Sequence, residues 1–325
     1  MADKRVLITD QVFGGTEIER SVLEPRGFEV VEAPAKDEET LSRLVAGVDG
    51  ILVCYAQVTP AVLKAAGPSC KIVARFGIGY DNVAVQTATE LGVVVTNVPD
   101  YCLDEVADHT IALLLAMARG VAFADREVRT GEWHLPDLEI HRIRGRRLAL
   151  IGVGRIGRRV ASRAQAFGLE VVAYDPFVQT WDMEGIARAD TLEEALGEAD
   201  FVSLHSPLTA ENHHLIGERT IAMMHKAPVI VNTARGPLVD NDAVLAALDR
   251  GQLGGVALDV TEPEPLPADH PLRRHPRALV TPHMSFLSNE AQDELRQRAA
   301  EEVARVVAGE APRNPVNPEV LKSAR

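Results

Sequence analysis

The apolar run Arg147–Ile151 passes directly into Gly152-Val153-Gly154-Arg155-Ile156-Gly157 and from there into a helical pattern. A strand that turns into a helix through G-x-G-x-x-G admits few folds. Gly152 permits a tight turn, Gly154 lets backbone approach a pyrophosphate, and Gly157 allows the helix to pack closely, with its N-terminus facing the phosphates. Arg155 and Ile156 would then lie against the cofactor. With 24 glycines in 325 residues, the motif by itself recurs by chance, so its surroundings decide. Asp175 ends the next apolar run, roughly 20 residues on, where a carboxylate accepts hydrogen bonds from both adenosine-ribose hydroxyls and repels a 2′-phosphate. Pro176 and Phe177 follow it in place of arginines. The cofactor these residues call for is NAD rather than NADP.

β-like runs alternate with helical patterns from the start of the chain, at 6–9, 28–31, 50–53, 71–74 and 93–96, and again at 147–151, 170–174, 201–204, 229–231, 255–258 and 278–280. Such alternation predicts an α/β fold of doubly wound parallel sheets, and five strands followed by six predict two of them. Between the two sets lies a helix with Leu103, Val106, Ala107, Ile111, Leu114 and Leu115 at helical spacing, then a polar loop over 131–145 that marks entry to the second domain. A last helix is predicted from an N-cap at Ser288 to Gly309, and the segment 312–318 after it returns to the first domain. Aromatics are only 4% of the chain, which suits buried parallel strands of small aliphatic residues.

The net charge of −13 is spread along the chain, which argues against nucleic acid or an anionic membrane as partner. An anionic substrate therefore needs a local cationic pocket. Cys54, Cys70 and Cys102 lack metal-ligand spacing and read as free thiols in a reducing cytoplasm. No metal site is expected. The first residues carry no signal-peptide pattern, and the longest apolar helical stretch, 110–118, is about half of what a membrane span needs.

Residues past the later strands suit reduction of a 2-oxo acid. That reaction needs a cation for the carboxylate, a proton donor for the developing alkoxide, and a positioned hydride donor. Arg235, in VNTARGPLVD, offers a planar fork of donors. His283, in TPHMS, can donate the proton, and Glu264, in LDVTEPEPLP, can pair with it, favour its charged form and fix its ring. Glu262 competes for the Glu264 role, and spacing does not separate them. His213 and His214, as neighbours on a helix, would point in different directions and so read as surface or pocket-edge residues rather than a metal pair.

Over nearly its whole length the chain resembles the D-isomer-specific 2-hydroxyacid dehydrogenase family. The matching segments are ARFGIGYDN, NVPDY with EVADH, GVGRIGRRVASRAQAFGLEVVAYDP, NTARGPLVD, ALDVTEPEP and TPH. The resemblance implies the roles above for Arg235, Glu264 and His283, and selects Glu264 over Glu262. It implies an acid near the nicotinamide carboxamide at Asp259, with Ser206, Thr233 and Ala234 lining the cofactor cleft. It also implies a homodimer and a domain order. Residues 1–99 with 287–325 would form a flavodoxin-like substrate or lid domain, and 100–286 a Rossmann NAD-binding domain. The backbone at Gly77, Ile78 and Gly79 would offer N–H groups to the substrate carboxylate.

Departures from relatives narrow the expected substrate. Where phosphoglycerate dehydrogenases carry a phosphate-binding arginine after the third strand, this chain reads Val53-Cys54-Tyr55-Ala56, and it lacks their common appended domains. Glu264 stands where formate dehydrogenases of the family carry glutamine, and Ile78 where phosphite dehydrogenases carry lysine. Tyr55, Phe76, Tyr80, Tyr101, Met284 and Phe286 are pocket candidates, with Phe76 and Phe286 read as ordinary packing. A small 2-oxo acid reduced to the (R)-2-hydroxy acid is the resulting expectation. The alternative is an NAD(H)-sensing interaction protein similar to the C-terminal-binding-protein corepressors, which keep the same trio.

Overall fold

The computed structural model describes residues 4–10, 12–133 and 140–323. Part of the loop expected at 131–145 therefore lies outside the described residues. The chain forms two compact units, residues 1–101 with 288–325, and residues 102–287.

In the first unit, β1 (Lys4–Ile8), β2 (Phe28–Glu32), β3 (Gly50–Val53), β4 (Ile72–Arg75) and β5 (Val94–Thr96) pair in parallel in the order β2-β1-β3-β4-β5. This is the flavodoxin-like order. Ser288 caps the long helix Asn289–Val307 by accepting from the Ala291 N–H at 2.9 Å, as its sequence predicts. Gly50 lets that helix close on the sheet, since a Cβ there would lie 2.9 Å from Val303 Cγ1. A buried ion pair fixes the same helix to Glu17–Leu23: Arg296 donates to Glu19 at 2.8 and 2.7 Å and also to the Gly15 carbonyl. The C-terminal segment returns to this unit, where Val316 N–H donates to Val95 O and Asn317 bonds Val95 and Val93.

The second unit holds β6 (Arg147–Ile151), β7 (Glu170–Tyr174), β8 (Ile186–Arg188), β9 (Phe201–Leu204), β10 (Val229–Asn232), β11 (Gly255–Leu258) and β12 (Ala278–Val280). All are parallel, in the order β12-β11-β10-β9-β6-β7-β8. Among the described residues, seven strands replace the expected six. The missed one, β8, is an edge strand of three residues with two exposed, so it carries no apolar run to betray it. Elsewhere both faces of the sheet are buried, because period-2 side chains serve two cores. On β6, Leu148 and Leu150 join the cluster with Val160 and Ala164 of the helix Arg155–Ala166. Ala149 and Ile151 join the opposite cluster with Leu196, Val244 and Leu248.

Cys54, Cys70 and Cys102 are free and buried. Burial pushes the Cys54 and Cys70 thiols up to about 12, which leaves them protonated and unreactive. Among the described residues no single helix is long and apolar enough to cross a membrane.

Candidate active site

Because every strand of the second unit runs the same way, the residues that follow β6, β7, β9, β10, β11 and β12 emerge at one edge of the sheet, where open α/β sheets present ligands. Gly152 follows β6 at φ +96, a left-handed conformation, and a Cβ there would sit 2.8 Å from the His205 backbone. At Gly157 a Cβ would lie 2.3 Å from Gly152 O, so only glycine lets the helix Arg155–Ala166 start this close to the turn. Gly154 is its N-cap, and a Cβ there would meet nothing within 4 Å. Arg155 and Ile156 open the helix. Asp175 spans the turn, its carboxylate accepting from Val153 N–H and Phe177 N–H, both at 3.0 Å.

Ser206 follows β9, and its hydroxyl oxygen is buried with no hydrogen-bond partner among the described residues. An orphaned buried hydroxyl at this edge fits a polar ligand that completes it. Beside it, Thr233 Oγ1 lies 2.8 Å from Thr110 Oγ1, and Ala234 N–H donates to Asn232 Oδ1 at 3.0 Å. Glycine turn, carboxylate and orphaned hydroxyl together fit a dinucleotide.

Arg235 follows β10 in extended conformation, with Asn232 Nδ2 donating to its carbonyl at 2.8 Å and its own Nη1 donating to Ala234 O at 2.7 Å. Gly236 lets this loop press onto the next one, since a Cβ there would be 2.0 Å from Thr261 O. His283 adopts φ +51, unusual for a residue with a side chain. Its Nδ1 lies 2.5 Å from Glu264 Oε1, in a pair that is partly exposed. Glu262 turns elsewhere: its oxygens lie 3.4 Å from His213 Nε2 and 2.8 Å from His214 Nε2. Of the two glutamates, Glu264 is the one paired with His283.

The Asp259 side chain is buried and turned onto the loop that carries His283. It accepts from Thr281 Oγ1 at 2.6 Å, Met284 N–H at 2.9 Å and Ser285 N–H at 2.9 Å, while its carbonyl takes the His283 N–H at 2.8 Å. His109 Nε2, on the helix Leu103–Ala118, contacts Thr281 Oγ1 at 3.2 Å. Sequence reasoning missed His109 and Thr281 as supports, and no spacing rule would have found a contact across so many residues.

His205 was also missed. Its Nε2 lies 2.9 Å from Ser203 Oγ, and burial of the ring pushes its pKa down to about 4, so it is neutral under the glycine turn. His213 and His214 require a correction. They lie in a turn, not a helix, with His214 at φ +52, and their rings stack with centroids 3.9 Å apart. The two rings hold the Glu262 carboxyl below the usual carboxylate range, His214 most strongly, against a weaker upward push from burial.

In the first unit, the N–H groups of Cys54, Tyr55 and Ala56 converge on the Asp10 carboxylate at 3.0, 2.6 and 3.1 Å. Gly77 has φ +138 and its N–H donates to Arg75 O at 3.0 Å. Of the three N–H groups expected to meet a carboxylate, that one is therefore spent inside the chain, because the turn closes on itself. Asn97 Nδ2 holds the Ile78 carbonyl at 2.6 Å, which poses the neighbouring Gly79. Arg75, unremarked in the strand-end reading, lies across Gly77, and its Nε is buried with no partner among the described residues. A charged residue ending an apolar strand was the available signal. Tyr101 is buried, Tyr80 exposed, and Phe76 packs edge-on against Phe13 at 5.6 Å.

A family model described as D-isomer specific 2-hydroxyacid dehydrogenase, NAD binding domain, matches residues 111–285. A glyoxylate reductase of Korarchaeum cryptofilum is 39% identical over 90% of this chain and 89% of its own length. A D-3-phosphoglycerate dehydrogenase of Methanocaldococcus jannaschii is 37% identical over 96% of this chain, which spans 59% of that protein. Among solved structures, a glyoxylate reductase from Paecilomyes thermophila superposes with a TM-score of 0.88 at 29% identity, covering 98% of this chain and 100% of that one.

Proposed function

This chain belongs to the D-isomer-specific 2-hydroxyacid dehydrogenase family and is an NAD-dependent oxidoreductase of 2-hydroxy acids, and we propose that its substrate is a small, unphosphorylated 2-oxo acid, glyoxylate foremost. The product is the 2-hydroxy acid, of (R) configuration where it is chiral, and the reaction is reversible. The observation that carries the reading is the 2.5 Å pairing of His283 with Glu264, at the sheet edge that also bears Arg235 and the glycine turn.

In this proposal Gly152, Gly154, Arg155, Ile156 and Gly157 receive the pyrophosphate, and Asp175 the adenosine ribose, while Ser206, Thr233 and Ala234 line the cleft and Asp259 braces the loop that carries His283. The bound cofactor supplies the hydride. Arg235 holds the substrate carboxylate and polarises its carbonyl through paired N–H donors. His283, oriented through Nδ1 by Glu264, donates a proton to the carbonyl oxygen and recovers it in the reverse direction, a contribution of about 10²–10⁴-fold in rate. Tyr55, Ile78, Gly79 and Tyr101, with Gly77 through its carbonyl-braced turn, are proposed as substrate contacts of the first unit, and Arg75 as its cation. Glyoxylate suits the reading because the chain resembles glyoxylate reductases closely and Cys54 to Ala56 offer no phosphate-binding arginine. The cytoplasmic setting expected from the free cysteines and the homodimer expected from the resemblance belong to the same proposal.

The test is NADH oxidation with glyoxylate, hydroxypyruvate, pyruvate, phenylpyruvate and phosphonopyruvate. Glyoxylate or hydroxypyruvate should give the highest kcat/KM. Tight NADH binding without turnover of any of them would favour the NAD(H)-sensing alternative.

A further inference from the structure

Away from the catalytic pair, His213, His214 and Glu262 form a second cluster of chemistry-bearing side chains, and we infer that it is a binding site for one divalent transition-metal ion such as Zn²⁺, Co²⁺ or Ni²⁺. Each of the three offers a ligand atom, and these atoms lie within 4.8 Å of one another. A tetrahedral ion with bonds of about 2.0–2.1 Å separates its ligand atoms by about 3.3 Å. The two Nε2-to-carboxylate separations, 3.4 and 2.8 Å, fall on either side of that value. The two histidines face different oxygens of the one carboxylate, so seating an ion requires side-chain rotation that brings both Nε2 atoms and one oxygen onto it.

The surroundings prepare the donors. The two rings stack at an interplanar angle of 28°, and each turns its Nε2 toward the Glu262 carboxylate. Adjacent residues do this only because the backbone turns at His214, where φ is +52 and the N–H is pinned to Pro237 O at 2.7 Å. Asp240 Oδ2 lies 3.7 Å from His214 Nδ1, on the far side of the ring from Glu262. At that distance the carboxylate acts through its charge, which favours an imidazole bound to a cation through Nε2. Asn241 fixes the Glu262 backbone by donating to its carbonyl at 2.7 Å. Two imidazoles and one carboxylate suit borderline ions over Mg²⁺ or Ca²⁺, which prefer all-oxygen shells. Three protein donors leave one position to water.

The experiment uses the full chain without a histidine tag, titrated with Co²⁺ and followed by its visible ligand-field absorption, with Zn²⁺ calorimetry in parallel. One ion per chain should bind. His213→Ala, His214→Ala and Glu262→Gln should each weaken binding by about tenfold or more, a loss of about 1.4 kcal/mol, whereas His283→Ala should leave it unchanged. Independently of any variant, Zn²⁺ should protect His213 and His214 of the wild-type chain from diethylpyrocarbonate, read by peptide mass. Absence of saturable binding, binding indifferent to the three substitutions, or equal modification with and without Zn²⁺ would overturn the assignment.

Discussion

A methyl group placed at Gly157 or at Gly154 probes the glycine turn in two different ways. At Gly157 the new Cβ would sit 2.3 Å from the Gly152 carbonyl oxygen and 3.2 Å from its carbon. Ordinary contact begins near 3.4 Å, so the helix Arg155–Ala166 must retreat or the turn must open by about 1 Å. Neither partner is a flexible side-chain tip. Overpacking of this kind costs about 1–3 kcal/mol. Since the displaced atoms are those proposed to meet the pyrophosphate, NADH affinity should fall by about 5–150-fold. Gly154 differs: its φ is −67 and nothing lies within 4 Å of the added carbon. The free Gly154→Ala protein should stay within about 0.5 kcal/mol of wild type. It should nevertheless lose NADH affinity, because the methyl occupies the path by which backbone approaches phosphate. Urea unfolding and NADH titration by fluorescence separate the two effects. If Gly154→Ala binds NADH within twofold of wild type, or Gly157→Ala retains both stability and affinity, the reasoning from this turn fails.

Four further outcomes are expected. Asp175→Ala should narrow the preference for NAD over NADP, and an unchanged ratio of kcat/KM would remove the basis for that cofactor choice. Glu264→Gln exchanges a charge-assisted hydrogen bond to His283 for a neutral one; at about 1.5–3 kcal/mol for such a bond, kcat should fall by about 10–150-fold with little change in NADH binding. The His205 ring has its pKa lowered to about 4 in the folded chain from 6.5, so the unfolded chain takes up a proton first as pH falls. Its stabilising contribution is complete above about pH 6.5 and is lost between there and pH 4, by at most about 3 kcal/mol because part of the residue meets solvent. His205→Gln should flatten the pH dependence of urea stability in that window, and an unaltered slope would contradict it. In the first unit, Arg296→Met strands the buried Glu19 carboxylate and should cost about 3–5 kcal/mol in urea unfolding. Pairing it with Glu19→Met should restore much of the loss.

Much of the architecture was readable from local order. Eleven of the strands betray themselves as short apolar runs between helical patterns, since a parallel strand buried on both faces is built mostly of apolar residues. The edge strand β8 does not, because Ala187 and Arg188 face solvent. The turn from Gly152 to Gly157 and the Asp175 carboxylate that spans it were legible for a related reason: their geometry is set by the backbone within one βαβ unit, so sequence spacing carries it. The same holds for the cap at Ser288.

What the chain could not reveal alone is which side chains from distant segments meet. Glu262 and Glu264 are two residues apart and chemically alike, yet one turns to His213 and His214 and the other to His283. Adjacent histidines expected to diverge share a carboxylate because His214 itself takes a left-handed conformation. Asp259 is committed to the loop bearing His283, and the Gly77 N–H to Arg75. Periodicity and spacing report the direction of a side chain relative to its own strand or helix. Partners supplied by another segment depend on how loops at the sheet edge pack and bond, and only the assembled tertiary structure determines that.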